Sequence, residues 1–294
     1  MPEDIFSFQK SSSCSLHRQV NVLILQEHHI VLLKKYMKLQ QDIDDRAIYE
    51  ASFVPIGSKS SEMDQLIYEG TLSEEAADFL KKLVKAKYNI FISGGTSTGK
   101  TTMLNALMQY VASGDRVITI EDSAELSLHG IDNLVRLEMR QANVEGSGAI
   151  SIRDLIHSSL RMRPDRLVIG EVRGAEAMDM LQAMNTGHDG CMSTGHANSA
   201  SDMLNRLATM SLTAMDIPLA AIKGQIASAL DIIIHLGRLS DKSRRVLEIS
   251  EVSHFDGNNI ILNPLFLYNQ DTGLSSTGNR LIHSDKLTQH GISV

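Results

Sequence analysis

Short apolar runs alternate along this chain with segments in which apolar residues recur every three or four positions. The runs at 89–92, 117–120, 135–137, 167–169, 191–194 and 232–236 read as strands. Between them, Phe79, Leu80, Leu83 and Val84 mark one face of a helix that a capping box of Thr71 and Glu74 would open. Met103, Leu104, Leu107, Met108 and Val111 mark a second helix, with Gly114 as its stop. Residues 152–162 form a third, carrying Leu155, Ile156, Ser159 and Leu160 on one side and ended by Pro164. Helices follow at 175–184, 201–210 and 218–230. Residues 245–252 and 260–264 flank Asp256-Gly257-Asn258-Asn259, a hairpin signal. Strands alternating with helices predict an α/β domain with a largely parallel, helix-covered sheet.

The opening of the chain breaks this rhythm. It holds a serine-rich turn at 11–15, one amphipathic helix at 20–37, an acidic stretch at Asp42, Asp44 and Asp45, and a linker-like 57–61. Residues 1–60 are therefore expected to be a short helical appendage to a domain spanning 61–294. The 20–37 segment is interrupted by Gln26-Glu27-His28-His29 and ends in Lys34-Lys35, so it is not a membrane span. Glu3 and Asp4 stand where a signal peptide would be basic, which predicts a cytoplasmic protein.

Composition adds little. Of 294 residues, 43% are hydrophobic, and 28 Lys and Arg face 35 Asp and Glu, a net charge of −7. That balance argues against general nucleic-acid binding. Cys14 and Cys191 are far apart, without metal-ligand spacing, and read as ordinary thiols.

The chemistry is concentrated in four segments. Gly94, Gly99, Lys100 and Thr101 fit a phosphate-binding loop between a strand and a helix. Gly94, Gly95 and Gly99 are expected to take positive φ and let the backbone approach an anion. Amides of Gly94, Gly95, Thr96, Ser97, Thr98, Gly99, Lys100, Thr101 and Thr102 would cradle the phosphates of ATP. Lys100 would reach the β- and γ-phosphates, and the Thr101 hydroxyl would ligate Mg²⁺. Glu121-Asp122-Ser123-Ala124-Glu125 follows a strand, where Glu121 and Asp122 would hold waters on the metal. The strand at 167–169 ends in Gly170-Glu171, placing a glutamate suited to polarising a water where many such enzymes have a metal-anchoring Asp. Finally, His188 and His196 flank a short strand, and a histidine there would stabilise transition-state charge. Arg140, Arg161 and Arg173 are candidates for the γ-phosphate, as Arg116, Arg163 and Arg166 are to a lesser degree.

In this order the segments NIFISGGTSTGKTTMLNAL, RVITIEDSAEL, RMRPDRLVIGEVRGAEAMDMLQAMNTGHDGCMSTGHANS and IPLAAIKGQIASALDIIIHLGRLSDKSRRVLEISEV resemble the traffic ATPases of type II/IV secretion. The resemblance is strongest to the CpaF/TadA branch that powers Flp pilus assembly. It implies a RecA-like fold and a homo-oligomer, a hexameric ring, with nucleotide at subunit interfaces. It implies hydrolysis of Mg-ATP coupled to an inner-membrane platform protein, a location at the inner face of the membrane, and no stable nucleic-acid partner. It also implies Glu171 as the Walker B glutamate, Glu121, Asp122 and Glu125 as an acidic box, and His188 and His196 as a histidine box, with His196 facing the nucleotide. Members usually carry a larger N-terminal domain that supplies arginines and ends in a basic strand; 51–56 stands near that place without the arginine. The expectation is a shortened paralogue, a truncated product or half of a split system. An ATP-binding assembly component with weak turnover and a conjugation-type DNA-transfer ATPase are the alternatives.

Overall fold

The computed structural model describes residues 61–144 and 147–293. The expected appendage, including its 20–37 helix, lies outside the described residues. The apolar runs become β1 (Ile90–Gly94), β2 (Arg116–Glu121), β3 (Asn133–Glu138), β4 (Arg166–Ile169), β5 (Met192–Gly195) and β6 (Ile232–Arg238). A tail of β7 (Arg244–Phe255), β8 (Ile260–Asn269) and β9 (Gly273–Ser276) follows. All nine lie in one sheet, ordered β3-β2-β4-β5-β1-β6-β7-β8-β9. From β3 to β6 the pairings are parallel, and from β6 to β9 antiparallel.

The inner strands β1, β2, β4 and β6 read as largely apolar runs because both their faces are covered. On one face Ile90, Ile92, Val117 and Val168 pack with α1 (Glu62–Tyr68), α2 (Glu74–Lys85) and α3 (Lys100–Met108). On the other, Phe91, Ile118, Leu167, Ile169 and Ile233 pack with α4 (Ile152–Leu160), α5 (Glu176–Asn185), α6 (Ala200–Ala214) and α7 (Leu219–Ala229). A short C-terminal helix, α8 (Asp285–Gln289), closes the described chain. Lys286 ties it to the sheet base through Asp189 and Asp231, each at 2.7 Å.

Three local expectations are corrected. The cap of α2 is Ser73, whose hydroxyl accepts from the Ala76 amide, because Thr71 is taken up by the sheet, its carbonyl accepting from Val246. Helix α3 ends at Met108, well before Gly114, as single turns close on the Leu107 and Met108 carbonyls; Val111 stays buried beyond it. Helix α4 ends at Leu160, and Arg163 turns out with φ 54°. Arg163 thus leaves the right-handed helix before Pro164, though in the left-handed region rather than the extended one a following proline favours.

Candidate active site

Parallel strands all end at the same edge of the sheet, and this brings the four chemical segments together. Loops leave the C-terminal ends of β1, β2, β4 and β5, which are consecutive in space apart from order.

The phosphate loop starts where β1 ends. A Cβ on Gly94 would lie 2.6 Å from both the Leu236 carbonyl oxygen and Thr98 Oγ1, so a side chain does not fit. Gly99 caps α3 with φ 95°, a conformation suited to glycine. Gly94 and Gly95 do not share that conformation, contrary to expectation; Ser97, with φ 59°, does. The loop therefore needs Gly94 for space and Gly99 for backbone angle. Thr98 Oγ1 and Lys100 Nζ both donate to the Gly95 carbonyl at 2.9 Å, folding the loop on itself. The N-terminus of α3 adds partial positive charge beside it.

The strand β4 delivers Gly170 and Glu171. A Cβ on Gly170 would come within 3.1 Å of Glu121 Cγ. Glu121 is only 4% exposed, and its Oε1 accepts from the Glu125 and Leu126 amides at 3.0 and 2.9 Å. Half of that carboxylate thus shapes the acidic loop. The Glu121 side chain would have to give by a few tenths of an ångström to admit a side chain at 170, so the Gly-Glu pair suits this packing.

Glu171 is held by two neighbours. Arg173 Nη2 donates to its Oε2 at 2.7 Å, while Arg173 Nη1 reaches Asp122 at 3.0 Å. His196 Nε2 lies 2.8 Å from Oε1. That contact is short but poorly aligned, so the buried Oε1 has no aligned donor and keeps an open lone pair. The other His196 nitrogen, Nδ1, sits 3.4 Å from Lys100 Nζ. Burial first, and the Lys100 charge next, push His196 below its ordinary pKa. Burial also lowers Lys100. A neutral ring with Nδ1 accepting from Lys100 leaves Nε2–H on the Glu171 side, off the line to Oε1.

These groups line one cavity of about 340 Å³, with Thr96, Ser97, Thr101, Glu121, Asp122 and Thr194 among its walls. The size suits a small polar ligand. Thr101, the inner carboxylates and the expected triphosphate oxygens form an all-oxygen donor set that fits a hydrated Mg²⁺.

Not every candidate reaches it. Thr98 is buried under the loop and Thr102 faces outward on α3. Arg140 donates to the Gly148 carbonyl, and Arg161 is the exposed C-cap of α4; neither lines the cavity. His188 lines a separate groove with Lys87, Asp165 and Lys286. The Cys191 thiol is buried, pushed up to about 12 by burial, and inert. Thr194 and Leu126 line the cavity without having been singled out; polarity at the end of an apolar run was the available signal for Thr194.

The sequence profile of the family described as "Type II/IV secretion system protein" matches residues 55–276. The chain belongs to this family. A putative conjugal transfer protein of Mycobacterium tuberculosis is 36% identical over 217 residues, covering 74% of this chain and 60% of that protein. The probable conjugal transfer protein TrbB of Sinorhizobium fredii is 35% identical over 196 residues, covering 66% and 57%. This family member therefore spans less than two thirds of those relatives' length. Among solved structures, the VirB11 ATPase of the Brucella suis type IV secretion system, in complex with sulphate, superposes with a TM-score of 0.55 at 30% identity. That match covers 66% of this chain and 58% of VirB11. The RecA-like α/β fold is thus shared with a secretion ATPase. Among the described residues, no helix is long and apolar enough to cross a membrane.

Proposed function

We propose that this chain hydrolyses ATP and acts as the motor of a type II/IV secretion or pilus assembly system. The observation that carries this reading is the convergence of Lys100, Glu171 and His196 within 3.4 Å contacts at the mouth of the phosphate loop. Loop amides and Lys100 hold the β- and γ-phosphates, Lys100 exchanging its bond to the Gly95 carbonyl for phosphate oxygens. The open lone pair of Glu171 Oε1 takes a proton from the attacking water. His196, neutral and beside Lys100, donates to charge developing on the γ-phosphoryl group. Arg173 is the cavity-lining arginine for that charge; Arg140 and Arg161 remain candidates for a neighbouring subunit's site. Bound Mg²⁺ would be held by Thr101 directly and by Glu121 and Asp122 through water, supplying charge neutralisation between the phosphates.

The assembly is a homo-oligomeric ring, a hexamer, working at the inner face of the membrane against a platform protein. Residues 61–294 are the ATPase domain. The Flp pilus branch is our finer assignment. Conjugal DNA transfer is the second reading, favoured by the names of the M. tuberculosis and S. fredii relatives. Phosphate release by the purified chain, with light scattering in ATP and Mg²⁺, tests the proposal. Turnover by a ring is expected. A strict monomer without turnover at high protein and nucleotide concentration overturns it.

A further inference from the structure

The hairpin that joins β6 to β7 concentrates positive charge in Arg238, Lys242, Arg244 and Arg245. Arg238 and Arg244 stand directly opposite each other in the β6–β7 register. Opposed residues of an antiparallel pair share a face, and like charges placed so destabilise it. The face is the one that α3 covers. Leu236 and Val246, the pair two positions further into the sheet, pack in the same core as Leu104 and Leu107 of α3.

Nothing nearby neutralises these charges. Among the described residues, no carboxylate forms an ion pair with Arg238, Lys242 or Arg244. Asp241, the acid of the turn, is taken up by Ser243, whose amide and hydroxyl donate to it at 2.8 and 2.6 Å. Arg245 turns away to the Glu69 carbonyl at 2.9 Å. Arg238 reaches only the Lys242 carbonyl, at 3.3 Å. The Arg244 guanidinium is exposed and has no partner among the described residues.

The Arg244 stem is nevertheless placed. Its Cδ lies 3.7 Å from where a Cβ on Gly99 would stand, with Leu236 Cδ2 beside it at 3.9 Å. The stem therefore rests against the glycine that caps α3 and brings the charge to the rim of the phosphate loop. Strand order decides which part of a nucleotide it meets. Strand β1, which carries the loop, lies between β5 and β6. Glu171 and His196 follow β4 and β5, so the γ-phosphoryl group belongs on that flank. The hairpin stands on the opposite flank. A nucleotide held by its β-phosphate in the loop extends its α-phosphate and nucleoside that way.

We propose that Arg244 is a nucleotide-binding residue that contacts the α-phosphate, with Arg238 beside it. This rests on the ATPase reading above. An anion between the two arginines turns a repulsive cross-strand pair into two charge-assisted contacts.

The test titrates ATP and ADP into the full-length wild type, R244A, R244K and R238A. R244A should weaken both nucleotides by the same factor, on the order of tenfold, because both carry the α-phosphate. R244K keeps the charge without the planar fork and should recover part of the loss. R238A should show a smaller loss of the same kind, and it serves if R244A fails to fold. In turnover, the R244A loss should fall on KM rather than kcat. Added salt should weaken ATP binding by wild type more than by R244A, a difference that a merely structural side chain would not produce. Equal affinities of wild type, R244A and R238A for both nucleotides overturn the assignment and leave the ATPase reading intact. A loss confined to ATP also overturns it, because that places the guanidinium at the γ-phosphate. A wild type that binds neither nucleotide overturns the ATPase reading, and the assignment falls with it.

Discussion

Glu171→Gln separates chemistry from folding in this site. The substitution keeps the shape of the side chain and removes its charge and basicity. Two structural contacts change: the 2.7 Å bond from Arg173 and the 2.8 Å contact from His196. Arg173 is mostly exposed, so its charge pair contributes no more than about 1 kcal/mol to stability. The His196 contact is misaligned and contributes less than a good hydrogen bond. Stability should therefore fall by about 1 kcal/mol or less, a shift of a few degrees in unfolding temperature. Loss of a general base costs about 10²- to 10⁴-fold in rate. At 1.36 kcal/mol per factor of ten, that is about 2.7–5.4 kcal/mol on the barrier. ATP binding should persist or tighten, because a negative charge beside the triphosphate is gone. The assay is phosphate release at saturating ATP, with nucleotide titration and thermal unfolding on the same samples. A Gln variant within tenfold of wild-type turnover, folded and binding ATP, would refute the assignment of Glu171 as the base. Wild type no faster than the variant would instead place the chain among ATP-binding components with weak turnover.

Other outcomes follow from the same geometry. Lys100→Ala removes the cation beneath the phosphates and should abolish tight ATP binding; retained micromolar affinity in a titration contradicts it. Gly94→Ala forces a Cβ against the Leu236 carbonyl oxygen, a backbone atom that cannot swing away. It should destabilise the domain by about 1–3 kcal/mol and weaken ATP binding, measured by denaturant unfolding and titration; a variant as stable as wild type refutes the packing argument. Burial pushes His196 and His235 down, so folding disfavours their protonation. Their contribution is intact above the ordinary histidine pKa and is lost as pH falls through that value towards the lowered one. The nucleotide-free protein should lose stability between about pH 7 and pH 5, and His196→Gln should flatten that loss; an identical pH profile in the variant excludes the residue.

Much of this site was legible in the order of residues. The phosphate loop is a local device: a strand, a tight loop and a helix N-terminus contiguous in sequence, so Gly94 to Thr101 could be read directly. Glu171 was legible because an acid at the end of an apolar strand has a fixed place in a parallel sheet. His196 and His188 flank one strand, and only the family resemblance favoured His196 in sequence. Position in the fold separated them, since one follows β5 at its C-terminal end and the other precedes it. Arg173, Arg140 and Arg161 were equally indistinct, and only the first reaches the cavity.

The chain alone determined which elements form, that they build an α/β sheet, and which short motifs handle phosphate. These depend on hydrophobic period and on turn geometry between near neighbours. The tertiary structure decided what depends on distant atoms meeting. Glu121 crowds position 170 and makes a side chain there tight, and that contact joins two strands with no sequence relation. The pairing of Ser93 with His235 spans 142 positions and arises from the β1–β6 register alone. Registers and side-chain collisions are set by the packed whole, which is why no local pattern announces them.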